Sequence, residues 1–170
     1  MEEMTRRQNL AHQKLTEIPE DIVDRTAQLV EELDLSYNRI SDLRFLLAYT
    51  KLQSLVLDHN CVTSHTQFPD MPHLHTLWLN HNKIQNLSVF ISTISKKCTN
   101  LRYLSMMNNP AAPSYFNNGT FEQYTDYRHF VISRLPKLQM LDDTKIDDKE
   151  RSEAERVYRP VRKKKAANPS

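Results

Sequence analysis

Hydrophobic and polar positions recur in one fixed pattern through the middle of the chain. Leu33-x-Leu35-x-x-Asn38-x-Ile40 is followed by Leu55-x-Leu57-x-x-Asn60-x-Val62 and Leu77-x-Leu79-x-x-Asn82-x-Ile84, each copy 22 residues after the last. Val30, Leu52 and Leu74 complete the copies on their N-terminal side. Leu-x-Leu puts two apolar side chains on one face of a short strand, because side chains alternate along it. The Asn amide can bond neighbouring backbone where the chain turns out of the strand, and the Ile or Val closes the coil. One coil cannot bury its leucines alone. The pattern therefore predicts coils stacked into a parallel sheet with one continuous core.

The pattern is worn at both ends. Leu10, Gln13, Leu15 and Ile18-Pro19 match Leu35, Asn38, Ile40 and Leu43 at an offset of 25, as a degenerate first coil. Terminal repeats are expected to be atypical, because one side faces water. Residues 20–32 predict a short convex helix, with Ile22, Val23, Ala27 and Leu29 available for burial. Ser41–Ala48 offers Leu43, Phe45, Leu46 and Leu47 for the same job, whereas Pro69 and Pro72 argue against a helix in the next connection. Leu101-x-x-Leu104-x-Met106-x-x-Asn109 reads as a fourth coil after a stretched interval, and residues 89–99 as a convex helix with Phe90, Ile91 and Ile94 inward. Beyond Asn109-Pro110 the regular coils end. Thr120-x-x-Gln123 has the form of a capping box. It opens a helix with Phe121, Tyr124, Tyr127 or Arg128, Val131 and Leu135 at helical spacing, stopped by Pro136. Leu138-x-x-Leu141-Asp142 predicts a last strand, and Asp147-x-x-Glu150 the start of a charged helix running to about Tyr158. The expected organisation is a cap and degenerate repeat over 1–29, repeats over 30–110, a C-terminal cap over 111–158 and a basic, disordered tail over 159–170.

Composition narrows the function. The chain holds a single glycine, Gly119. Phosphate loops and dinucleotide fingerprints need two or three glycines at fixed spacing, so neither can exist in these residues. Cys61 and Cys98 lack metal-ligand spacing and read as free thiols. The net charge of +2 is uneven: Arg159, Arg162, Lys163, Lys164 and Lys165 carry five positive charges, which leaves the first 158 residues at −3. No run approaches the ~18 apolar residues of a membrane span. Met1–Leu10 also lacks a signal-peptide segment, so a cytoplasmic protein is expected, with the nucleus as the alternative. His59, His81, His73 and His75 do not assemble three or four ligands in the pattern. Asp142-Asp143 and Asp147-Asp148 are better explained by capping than by acid–base chemistry. Neither a cofactor, a metal nor a small-molecule substrate is expected, and the reading is of a non-enzyme.

The segment Tyr127-Arg128-x-Phe130-Val131-x-x-x-Leu135-Pro136-x-Leu138-x-x-Leu141-Asp142 carries a more specific signal, as does its continuation Asp148-Lys149-Glu150-Arg151-Ser152-Glu153-Ala154. It resembles the C-terminal cap of a branch of intracellular leucine-rich-repeat proteins that includes the spliceosomal A-prime protein and small ciliary and regulatory proteins. With Leu55–Asn60, Pro72–Ile84 and Leu101–Asn109, the chain is similar within that branch to the leucine-rich melanocyte differentiation-associated family over roughly residues 50–155. The resemblance implies an α/β leucine-rich-repeat solenoid: a curved parallel β-sheet on the concave side, helices and turns on the convex side, and a helical C-terminal cap. It further implies a non-enzymatic protein linked to pigment-cell differentiation.

The positions flanking the first strand leucine point away from the core. One outward column is Glu32, Ser54, Thr76 and Tyr103, and the second is Asp34, Val56, Trp78 and Ser105. Ser36, Asp58, Asn80 and Met107 form the next. The candidate partner-binding residues are Glu32, Asp34, Val56, Asp58, Trp78, Asn80, Tyr103 and Met107, acidic at one end and apolar and aromatic at the other. Interface cores favour Trp, Tyr and Met, and Trp78 is the single tryptophan. Alternatively, Trp78 lies against Tyr103 or Val56, or under the chain's own tail. Arg162, Lys163, Lys164 and Lys165 suit nucleic acid, an acidic membrane surface, nuclear import or mere solubility. The leading expectation is an adaptor gripping an intracellular protein on its concave face. A ribonucleoprotein subunit touching RNA through its basic end is the alternative, and a ciliary structural component a weaker one. Basic residues interleaved with aromatics are missing from the outward columns, which favours the adaptor.

Overall fold

The computed structural model describes residues 6–159. One sheet runs the length of the molecule in sequence order: β1 Arg7–Asn9, β2 Glu32–Asp34, β3 Ser54–Val56, β4 Thr76–Trp78, β5 Tyr103–Ser105, β6 Met140–Leu141 and β7 Thr144–Lys145. Strands β1 to β6 pair in parallel, and β7 folds back antiparallel on β6. The register sets Leu33, Leu55, Leu77 and Leu104 side by side. These and the second strand-end set, Leu35, Leu57, Leu79 and Met106, are all buried. Each such side chain removed from water contributes roughly 1.5–3 kcal/mol, and the stack makes the burial possible.

The repeated asparagines stitch the coils together. Asn60 donates from Nδ2 to Leu57 O of its own coil at 3.2 Å and to Leu35 O of the preceding one at 2.9 Å. Its Oδ1 accepts the Ile40 N–H at 2.9 Å. Asn38, Asn82 and Asn109 make the same set of bonds, and Asn38 accepts the Gln13 N–H as well. An amide at this position therefore satisfies backbone groups that would otherwise be buried unpaired, which is costly.

The first coil has the expected offset, since Arg7 pairs with Glu32 and Asn9 with Asp34. Gln13, however, is exposed and does not act as the asparagine does. Its backbone N–H and that of Leu15 are taken by Asn38. Gln8 stands where the next coil places Leu33, half-buried, and accepts from the Tyr49 hydroxyl at 3.4 Å.

On the other side of the sheet lie α1 Glu20–Thr26, a 3-10 turn Arg44–Ala48 and α2 Leu87–Lys97. Helix α2 is capped by Asn86, whose side chain accepts from Val89 N, and buries Phe90, Ile91 and Ile94 as expected. The 3-10 turn corrects one expectation: Leu47 is 70% exposed. With three residues per turn, Leu43, Leu46 and Tyr49 share the inner face and Leu47 falls outside it.

Two helices close the far end, α3 Phe121–Arg134 and α4 Asp148–Val157. Thr120 and Gln123 form the expected capping box in both directions, and Asp147 caps α4 through Glu150 N at 2.7 Å. Tyr127, Arg128, Val131 and Ile132 are buried in α3, but Phe121 is 83% exposed. The helix enters the core only from its second turn, so Phe121 does not join the apolar face. Strand β6 continues the sheet, with Leu141 beside Leu104. Asp142 then completes the edge: its Oδ1 accepts Met106 N–H at 2.8 Å and its Oδ2 the Tyr127 hydroxyl at 3.2 Å.

Candidate protein-binding face

The parallel register makes the outward columns real neighbours. Glu32 pairs with Ser54, Ser54 with Thr76, and Thr76 with Tyr103. Asp34, Val56, Trp78 and Ser105 form the adjacent column. Neighbouring strands lie about 4.8 Å apart, so each column is a contiguous stripe.

The two ends of this face differ in what their side chains are free to do. At the acidic end, Glu32 is held by Arg7 at 2.7 Å, and Asp34 Oδ1 accepts from Ser36 N and Oγ. Asp58 Oδ1 accepts the Asn80 N–H at 2.9 Å. Asn80 Oδ1 in turn accepts from Ser105 Oγ and Met107 N. Those polar groups are largely spent on the fold itself. Ser105, at an outward position, is consequently buried rather than open. At the other end Trp78 is 46% exposed, with Tyr103 and Met107 each at 37%. Val56 beside Trp78 is half-buried. The Tyr103 hydroxyl donates to Gln139 Oε1 at 3.3 Å, which links its ring to the residue just before β6. Large apolar side chains are left open where polar groups are already satisfied, which is the composition of an interface core. Arg162 to Lys165 lie outside the described residues.

His59 and His81, which occupy equivalent positions one coil apart, belong to a larger feature. His12, Tyr37, His59 and His81 stack in one ladder, with successive ring centroids 4.3, 4.2 and 4.1 Å apart and planes within 12°. Asn108 continues it, its amide 3.1 Å from His81 Nε2. All five have φ between 54° and 60°. That left-handed conformation is rare outside glycine, yet Gly119 does not adopt it. The signal is the residue immediately before Gln13, Asn38, Asn60, Asn82 and Asn109. The near-parallel rings of His59 and His81 aim their in-plane nitrogens side by side rather than toward one point. Desolvation, then the neighbouring His81, lower the His59 pKa, against the pull of Asp58.

Burial pushes the Cys98 thiol up to about 12, and both cysteines are free. Asp142 is raised, chiefly by burial, and serves the cap through Met106 and Tyr127. Among the described residues no three His, Cys, Asp or Glu side chains cluster as metal ligands, and no helix is long and apolar enough to cross a membrane.

Comparison with known sequences agrees with the coils. A family profile described as leucine-rich repeat matches residues 5–169. The chain belongs to the leucine-rich-repeat family. It is 36% identical over 143 residues to the human leucine-rich melanocyte differentiation-associated protein, covering 80% of this chain and 72% of that one. It is 32% identical over 130 residues to the U2 small nuclear ribonucleoprotein A' of Mycosarcoma maydis, covering 73% of this chain and 46% of that one. The Arabidopsis thaliana protein of the same name is 30% identical over 137 residues, 78% of this chain and 49% of its own. The chain thus spans about half the length of these ribonucleoprotein relatives. A chain of the crystal structure of the Drosophila melanogaster SNF/U2A' complex superposes with a TM-score of 0.73 at 24% identity, covering 91% of this chain and 82% of that one. The shared fold is a leucine-rich-repeat solenoid with a helical C-terminal cap of the U2A' type.

Proposed function

We propose that the chain is a non-enzymatic adaptor that holds a folded protein partner on its concave sheet face, with Trp78, Tyr103 and Met107 as anchors. The observation that carries this reading is the open apolar cluster at one end of an otherwise self-satisfied face. Binding energy concentrates in a few such aromatic anchors, surrounded by contacts that exclude water. Similarity to the human melanocyte differentiation-associated protein supports a role in differentiation, and a cytoplasmic location is part of the same proposal. A ribonucleoprotein subunit in the nucleus is the second reading, favoured by the U2 small nuclear ribonucleoprotein A' relatives. It adds RNA contact through Arg162, Lys163, Lys164 and Lys165.

Pull-downs from cell extract at two salt concentrations separate the two. For the adaptor, Trp78→Ala abolishes capture of the native partner with the far-UV circular dichroism intact, and Lys163, Lys164 and Lys165→Ala together change little. For the ribonucleoprotein subunit, the triple-lysine variant weakens RNA association and flattens a steep salt slope, because phosphate contacts release counterions. Partner capture undiminished in Trp78→Ala overturns the sheet-face reading.

A further inference from the structure

The His–Tyr ladder borders a groove that the adaptor reading does not use. The groove has a volume of about 390 Å³ and is lined by His12, Lys14, Tyr37, Asn38, Arg39 and His59. Lys14 and Arg39 occupy equivalent places in the first and second coils, 25 residues apart, and Lys83 repeats the position two coils on. All three are exposed, and no carboxylate of the described residues forms an ion pair with any of them. Asp58, the acid next to His59, is committed to the Asn80 N–H on the sheet side. The flank therefore carries Lys14 and Arg39 in adjacent coils, and Lys83 beyond Cys61, outside any ion pair of the described residues and beside ring edges, on a body whose first 158 residues are net negative.

We propose that this flank is a second binding site, separate from the sheet face, that takes a phosphoryl group carried on an acidic peptide. A phosphoserine brings roughly −1.5 to −2 charges and three acceptor oxygens. A guanidinium offers a planar fork that matches phosphate oxygens, and an ammonium beside it adds a point charge. The ring edge of His12 or of His59, two steps apart in the stack, can add one further N–H donor. The stacking selects against nucleic acid. Sequence-tolerant binding of single strands relies on open aromatic faces for the bases, whereas here the faces of Tyr37 and His59 are covered by their neighbours at 4.1–4.3 Å. Between the ends of the ladder only ring edges are free beside the cations, which suits an anion better than a run of stacked bases.

The test uses the full chain and a fluorescent Glu-Gly peptide bearing one phosphoserine, followed by anisotropy. The phosphopeptide binds more tightly than its Glu-for-phosphoserine counterpart, and inorganic phosphate competes with it. Lys14→Gln with Arg39→Gln weakens binding by about tenfold or more, as loss of charge-assisted bonds to phosphate requires. An equal charge removal from the cap, Lys145→Gln with Lys149→Gln, changes it by less than about twofold, as screened surface charges do. Addition of the phosphopeptide shifts the ring-proton resonances of His12 and His59. No preference for the phosphorylated peptide, no competition by phosphate, or equal loss in the two double variants overturns the proposal. So does tighter binding of an oligouridylate of about twelve nucleotides through the same two residues, which reassigns the flank to RNA.

Discussion

Arg128 and Glu150 form a bidentate ion pair that locks the two cap helices together. Arg128 Nε lies 2.7 Å from Glu150 Oε2, and Nη2 lies 2.7 Å from Oε1. Nη1 reaches past them to Leu141 O at 2.9 Å, tying both helices to the last parallel strand. The arginine side chain is 4% exposed and the glutamate 23%. Removing the partner of a buried charge costs about 3–5 kcal/mol. Partial access of water to the vacated site places Glu150→Ala near the lower end, about 3 kcal/mol. Urea unfolding measures it, and a loss within the surface-pair range of about 0–1 kcal/mol would show that the lock contributes little.

Asp142 makes the cap sensitive to pH in a definite direction. Burial raises its pKa above the ordinary carboxylate value. A folded-state pKa above the unfolded one means that the folded protein binds the extra proton, so this group's contribution to stability falls as pH rises from 3.8 through the raised value. Asp142→Asn keeps an acceptor oxygen for the Met106 N–H, turns an amide N–H toward the Tyr127 hydroxyl, which can accept it, and tolerates φ of 58°, but carries no charge. Its melting temperature minus that of the parent should be larger at pH 7 than at pH 3. A difference that is flat or shrinks with pH refutes the assignment.

The coils and the columns were legible because strand alternation and a 22-residue spacing act together. Once Leu33, Leu55 and Leu77 share a register, the positions of Trp78 and Val56 follow without any knowledge of packing. The ladder of His12, Tyr37, His59 and His81 was not legible, because it depends on a left-handed turn that no glycine announces. Leu47 was misplaced because the five residues of its turn follow a period of three rather than 3.6. Arg128 as a buried charge needed Glu150, 22 residues away, and the Leu141 carbonyl, neither of which has a fixed spacing to read. The β6–β7 return turns on Asp142-Asp143, with Asp142 at φ 58°, and lacks the glycine that usually marks a two-residue turn.

Leu79 and Trp78 are adjacent in sequence and opposite in environment. Leu79 is fully buried and Trp78 is 46% exposed. Leu79→Ala should cost about 2–5 kcal/mol, the range for large-to-small core changes. Trp78→Ala should cost well under that, despite the larger side chain removed. Denaturant unfolding of both variants decides it, since equal losses would mean that the two faces of the sheet are misassigned.

Asn60 joins two coils through one amide, and the cost of losing it should show that. Asn60→Ala strips a partner from Ile40 N, Leu35 O and Leu57 O at once. Each buried backbone group left unpaired costs about 1–3 kcal/mol, partly recovered where water or a shift of the turn reaches it. Asn60→Asp keeps an acceptor for Ile40 N but loses both donations and brings a charge into a site 6% exposed. It should therefore also destabilise, and less so at acidic pH, where the carboxyl is protonated and can donate. The outward Ser54→Ala in the same coil serves as the control, because its side chain lies on the sheet's outer face. Chemical denaturation of the three variants at pH 7 and pH 5 measures these differences. A loss for Asn60→Ala no larger than for Ser54→Ala would show that the coils are held by leucine packing alone, with the asparagine ladder contributing nothing.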